Sequence, residues 1–224
     1  MLEVILDVET TGLSTTENHR IVEIGCIELN NQIATNKIFH EYINPERSIS
    51  EEAFKIHGYD TKFLSDKKNF NEIAESFLNF IKNKKLIIHN AGFDLSFLNH
   101  ELKLIKKKGI DNINIVDTLD LARKKFPGSQ NSLDALCKRF KIDNSKRKKH
   151  NALIDCELLL KVYVNLLDQK TPKFDFANEN LMPKNIDNIS YKKQNYSKKI
   201  IEVNNEEFEK HKIFLQRNLK KNFY

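Results

Sequence analysis

The sequence predicts an α/β fold in which a mixed sheet, an antiparallel meander extended by parallel strands, is flanked by helices. Three observations carry that expectation. Strand-like runs come first, LEVILDV from Leu2, RIVEIGCIEL from Arg20 and KIFHEYI from Lys37, joined by short polar links that suit a meander. Over residues 69–81 the apolar residues fall at helical spacing instead. From there, strand-like and helical runs alternate, which adds parallel strands with helices packed on them.

Each element follows from its pattern. In the first strand Leu2, Val4, Leu6 and Val8 share one face, and Ile5, Asp7 and Glu9 share the other. The two carboxylates then sit roughly 6 to 7 Å apart before a Thr-Thr-Gly turn, a costly arrangement unless solvent or a cation neutralises it. Phe70, Ile73, Ala74, Phe77, Leu78 and Ile81 form the apolar stripe of the first long helix. The run LIIH from Leu86 is a buried strand leading into His89, Asn90, Ala91 and Gly92, and a helix starts near Phe93 with Asp94 in its first turn. A short strand, INIV from Ile113, precedes the helical segments TLDLARKKF, SLDALCKRF and ALIDCELLLKVYVNLL.

This pattern ends near Gln169, so residues 1–169 are expected to form the globular domain. Residues 170–199, rich in Asn and Lys and holding Pro172 and Pro183, read as a flexible linker. Residues 200–224 form a patterned tail. There Asn204 and Asn205 are N-cap candidates ahead of Glu206 and Glu207, and a helix from that point brings Phe208, Leu215 and Leu219 within about 40° of one another, with His211 beside them.

Composition narrows the function. Lys and Arg number 37 against 31 Asp and Glu, a net charge of +6, and the pI is near 9.0, which suits a nucleic-acid partner. Seven Lys or Arg and only Asp143 on the acidic side fall within residues 138–149, read either as a solvated loop or as a rim facing phosphates. Cys26, Cys137 and Cys156 have no paired spacing, which argues against a disulfide framework and a zinc site. No apolar run approaches the roughly 18 residues of a membrane span, so a cytoplasmic protein is expected.

Asp94 and Asp155 are the other acidic residues that propensity leaves unexplained. Asp94 lies at the C-terminal edge of its strand, where sites of open α/β sheets gather. Asp155 sits on a strongly apolar helix. If His150 and Asp155 were both helical they would lie about 140° apart, so one site can use both only if the helix starts between them. Asn151 is the N-cap candidate for that start, leaving His150 on the incoming basic loop. Asp7, Glu9, Asp94 and Asp155 offer hard oxygen ligands suited to magnesium or manganese, and two such ions can drive phosphodiester hydrolysis. His150 can then take the proton of the attacking water.

At these residues the sequence resembles the DEDDh 3′→5′ exonucleases. The motifs are DVETTG, HNAGFD and HNALID, in order and correctly spaced. The resemblance implies a ribonuclease H-like fold, two divalent cations, Mg2+ or Mn2+, held by Asp7, Glu9, Asp94 and Asp155, and His150 as general base. YINPERSISEEAFKIHG from Tyr42 and FPGSQNSLDALCKRFKIDNSKR from Phe126 resemble the family's proofreading branch, which serves bacterial DNA polymerase III. That implies action on DNA 3′ ends, with Thr10, Thr11, Glu52, Ala53 and His57 as substrate-binding candidates. It also implies a polymerase subunit engaged through the tail, and contact with a sliding clamp through residues 169–176. Tyr59 departs from the aliphatic residue that commonly follows the His-Gly pair. Two other readings stay open at this point: a free-standing exoribonuclease using the same five residues, and an assembly subunit without catalysis. The linker and tail disfavour the first, and the clustered like charges disfavour the second.

Overall fold

The computed structural model describes residues 2–145, 147–167 and 204–218. The chain divides into two compact units, Met1–Lys173 and Phe174–Tyr224. The expected linker, the segment 169–176, residues 200–203 and Leu219 lie outside the described residues.

In the first unit, β1 (Leu2–Thr10), β2 (Ile21–Asn30) and β3 (Ile33–Tyr42) form the antiparallel meander. Asn31 and Gln32 close its second hairpin, both with positive φ, as a two-residue turn matched to the sheet twist requires. β4 (Lys85–Ile88) pairs parallel to β1, and β5 (Ile115–Asp117) parallel to β4, giving one sheet in the order β3-β2-β1-β4-β5.

Helices cover both faces. On one side Val4, Leu6 and Val8 pack with Phe70, Ile73 and Phe77 of α3 (Phe70–Ile81) and Phe97, Leu98 and Leu102 of α4 (Ala91–Leu104). On the other, Ile5, Ile27, Leu29 and Ile87 pack with Cys156, Leu159 and Tyr163 of α7 (Ala152–Leu166). The carboxylate-bearing face of β1 is therefore core as far as Ile5. Glu3, also on it, is buried and accepts a hydrogen bond from the Tyr163 hydroxyl at 3.0 Å. α5 (Thr118–Lys125) and α6 (Leu133–Phe140) pack against the outer side of α7 through Ala122, Leu136, Leu158 and Val162. The three cysteines are buried free thiols.

Two short helices, α1 (Glu51–His57) and α2 (Thr61–Leu64), were not legible as such. α1 buries only Ala53 and His57, too few positions to set a period, and it is defined instead by its ends. The Ser50 hydroxyl accepts from the Ala53 N–H, and Gly58 closes the helix at φ 80°.

α4 starts two residues before the expected Phe93. Asn90 stands at φ 67° and offers no side-chain cap, so the helix start depends on a distant partner. That partner is Asp117, whose carboxylate accepts from the Asn90 and Ala91 N–H groups at 3.0 Å each and caps α5 through Leu119 N–H.

In the second unit α8 spans Asn205–Asn218. Asn204 caps it reciprocally with Glu207, the Asn204 side-chain Oδ1 accepting from Glu207 N–H at 2.8 Å and the Glu207 carboxylate from Asn204 N–H at 3.3 Å. Phe208, Ile213 and Phe214 on this helix are all about half exposed.

Candidate active site

β1 and β4 run parallel, so both end at the same edge of the sheet. Asp7 and Glu9 arrive there on β1. Asp94 arrives on the first turn of α4, directly after β4, and its Oδ1 accepts from the Val8 N–H at 3.1 Å. That bond fixes Asp94 between the two β1 carboxylates along the strand.

Asp155 comes from the opposite layer. Gly25 on β2 pairs with Asp7, and a Cβ at Gly25 would lie 2.6 Å from the Ala152 carbonyl carbon. Glycine therefore lets the first turn of α7 lie directly on the sheet. The Asn151 side chain caps that turn, accepting from Ile154 N–H at 3.0 Å, and Asp155 projects from it. His150 precedes the cap on the loop, with its side chain 46% exposed and Nδ1 3.5 Å from Asp155 Oδ2 and 3.9 Å from Glu9 Oε1.

Glu23, on β2, holds this junction together. Its Oε1 accepts from His40 Nε2 and Asn151 Nδ2, both at 2.7 Å, and its Oε2 from the Tyr59 hydroxyl at 2.8 Å and Ala152 N–H at 3.0 Å. Four donors saturate a fully buried carboxylate. Tyr59, the departure noted in the sequence, thus ties the end of α1 to the start of α7, and its ring stacks on His57. The sequence offered no sign of this role for Glu23, because a Glu within IVEIG reads as an ordinary strand polar.

Electrostatics at the sheet edge are strained. Burial, then the charges of Asp94, Glu9 and Asp155, hold the Asp7 carboxyl well above its usual range. Burial, then Asp155 and Glu23, push Glu9 up to about 8, and burial raises Asp94 to about 8. Arg147 offsets the repulsion at Asp7 and Glu9. It was not singled out among the basic residues of 138–149, yet its guanidinium turns inward onto Asp155. Burial, then the Arg147 charge, lowers the pKa of His150, favouring a neutral imidazole.

A cleft of about 1080 Å³ opens over this cluster. Glu52, Ala53 and His57 line it from α1, Thr10 from the end of β1, and Asn131, Ser132 and Leu133 from the start of α6 and the loop before it. Thr11 is fully buried behind this wall, its hydroxyl 2.9 Å from His19 Nδ1 and accepting from Arg20 N–H at 3.0 Å. Thr10 donates its own hydroxyl to the Gly12 carbonyl. His57 Nδ1 accepts from Tyr59 N–H at 3.0 Å, which places the ring proton on Nε2. That nitrogen faces the Thr10 carbonyl but makes no hydrogen bond of normal geometry.

The donors suit a divalent cation. Glu9, His150 and Asp155 bring one ligand atom each within 4.8 Å of one another, and the partly buried Asp7 and the buried Asp94 add two carboxylates whose pKa desolvation raises, that of Asp7 further through the charges of Asp94, Glu9 and Asp155. Four carboxylates and one imidazole form a hard, oxygen-rich set.

The RNase_T family model, described as exonuclease, matches residues 4–163. The DNA polymerase III subunit epsilon of Rickettsia conorii (strain ATCC VR-613 / Malish 7) is 50% identical over 222 residues, covering 97% of this chain and 96% of that one. The protein of the same name from Escherichia coli (strain K12) is 38% identical over 176 residues, covering 75% and 72%. Among solved structures, the nuclease domain of 3′hExo, a DEDDh family member, bound to rAMP, superposes with a TM-score of 0.66 at 19% identity, covering 75% of this chain and 92% of that one. That likeness shows the fold, and the ribonuclease H-like arrangement expected from the motifs is present.

Proposed function

The chain belongs to the exonuclease family and, within it, to the DNA polymerase III epsilon subunits, and from that premise we propose that it proofreads by hydrolysing the 3′-terminal phosphodiester of DNA. The products are nucleoside 5′-monophosphates. The single observation that carries this reading is the convergence of Asp7, Glu9, Asp94 and Asp155 on one sheet edge with His150 on the loop beside them.

Asp7, Glu9, Asp94 and Asp155 would hold two divalent cations, Mg2+ or Mn2+, which supply Lewis-acid stabilisation of the charge that develops on the phosphoryl oxygens. The protein's own groups do the rest. His150, held neutral, accepts the proton of the attacking water. His57, Thr10, Glu52 and Ala53 shape the wall against the last nucleotide. Thr11 acts one step removed, holding the turn that carries Thr10. The cleft suits the end of one strand, so a paired end must first melt and a mismatched end enters more readily.

On this reading the exonuclease domain covers residues 1–169, and residues 170–199, which lie outside the described residues, connect it to the tail. Residues 200–224 dock on the alpha subunit of DNA polymerase III, the capped helix α8 offering Phe208 and Leu215 on one face. Residues 169–176 reach a sliding clamp. The chain works in the cytoplasm, and among the described residues no helix is long and apolar enough to cross a membrane.

The test uses 5′-labelled single-stranded DNA and RNA of one sequence, with Mg2+ or with a chelator. The expected result is a ladder shortening from the 3′ end, faster on DNA, and absent with chelator. Faster loss of RNA would support the free-standing exoribonuclease instead. Truncation after Gln169 should leave this activity and abolish co-purification with the alpha subunit.

A further inference from the structure

Arg147 makes the densest set of polar contacts in the cleft. Its Nε donates to Asp155 Oδ1 at 2.5 Å and its Nη2 to Asp155 Oδ2 at 2.8 Å, a two-point pairing that occupies both oxygens of that carboxylate. Nη2 also lies 2.9 Å from His150 Nδ1. A guanidinium only donates, so Nδ1 must be the acceptor, and its lone pair is taken. Nη1 meanwhile donates to Asp134 Oδ2 at 2.8 Å. The Arg147 side chain is 7% exposed and that of Asp155 3%, whereas Asp134 is 57% exposed.

The two anchors differ in kind. Asp155 belongs to the proposed ligand set, and Asp134, on the first turn of α6, does not. Asp134 also accepts through Oδ1 from Asn144 Nδ2 at 3.1 Å, so it fastens the loop independently of Asp155. Beyond Arg147 the loop is fastened again, by His150 N–H donating to the Ile56 carbonyl at 3.2 Å. Between these fixed points the guanidinium can change partner while the loop stays in place.

Building on the metal-dependent reading above, we propose that Arg147 competes with the divalent cation for Asp155 and caps the base His150, so that metal loading shifts the guanidinium towards Asp134 and frees the imidazole. Two cationic groups cannot share the same two carboxylate oxygens in a buried site without strong repulsion. Arg147 therefore sets a threshold: Asp155 is neutralised in either condition, and the lone pair that must take a proton becomes available together with the cation. On this account Arg147 is a positioning residue for His150 and a brake on metal binding.

The test is Mn2+ titration of the full chain without nucleic acid, read as free Mn2+ by electron paramagnetic resonance, with melting curves alongside. Arg147→Gln should bind Mn2+ about tenfold more tightly than wild type while melting lower in chelator, since it loses both the competitor and the neutralising charge. Asp134→Asn should move the other way, weakening Mn2+ binding roughly two- to fivefold, because the displaced guanidinium loses its second anchor. If Arg147→Gln does not fold, Arg147→Lys, which keeps the charge but not the two-point geometry, should bind Mn2+ more tightly than wild type. In 15N NMR of wild type, Mg2+ should shift His150 Nδ1. A folded Arg147→Gln that binds Mn2+ as wild type does, or more weakly, would overturn the competition and leave the metal reading standing. Failure of wild type to bind Mn2+ at all would overturn both.

Discussion

Glu23 Oε1 accepts from the Asn151 side-chain amide at 2.7 Å, so the residue that caps α7 is itself fixed to the middle of the sheet. Every group that must meet at the cleft from the α7 side, His150 before the cap and Asp155 after it, inherits its position from this contact.

Glu23→Gln tests that dependence. The amide has one oxygen where the carboxylate has two, so its NH2 group must face either His40 and Asn151 or Tyr59 and Ala152, and buried donors lose their partner, at a cost of about 1 to 3 kcal/mol and a melting temperature lower by roughly 2 to 12 °C. Thermal melting with and without Mn2+ checks it, and activity should fall with it. An unchanged melting temperature would mean the junction is held elsewhere.

Gly25→Ala places a methyl 2.6 Å from the Ala152 backbone, and backbone cannot turn aside as a flexible side chain can. α7 must lift from the sheet. We expect a loss of about 1 to 3 kcal/mol, as for overpacking, with Mn2+ affinity falling because Asp155 moves with the helix. Melting and titration of the same sample separate the two effects.

How far the sequence reached is clear at this junction. The angle of about 140° between His150 and Asp155 required a helix start between them, and Asn151 supplied it; the structure places the cap there. The sheet, its meander and its parallel extension followed from period alone. Arg147 did not, because its inward turn is decided by Asp134 and Asp155 on two other helices. Nor did the start of α4, which rests on Asp117, a residue 26 positions beyond Ala91. Local pattern carries no trace of such long-range partners.

Stability should respond to pH through the cluster. Glu9 and Asp94 are raised from 4.5 and 3.8 to about 8 in the folded chain, so folding takes up protons between those values and stability declines as pH rises through that window. In chelator the melting temperature should be lower at about pH 8.5 than at about pH 5.5, and Mn2+ should raise it more at the higher pH. A melting temperature in chelator that rises over the same interval would contradict the sign.

His150→Ala should lower kcat by roughly 10²- to 10⁴-fold at saturating metal. Because burial lowers its pKa, the rising limb of kcat against pH in wild type should lie below the usual histidine range. If that limb survives unchanged in His150→Ala, another group is the base.

The central claim is that the four carboxylates are a catalytic metal site, and Asp7 tests it most directly, being raised by burial and by Asp94, Glu9 and Asp155 together. The measurement is the rate of nucleotide release from 5′-labelled single-stranded DNA in Mg2+ by wild type and Asp7→Ala, each shown to be folded by its melting curve. Removing a clustered like charge relieves repulsion, so Asp7→Ala should melt in chelator no lower than wild type at about pH 8.5 while losing at least ~10³-fold in rate. A folded Asp7→Ala that releases nucleotides near the wild-type rate would contradict the assignment.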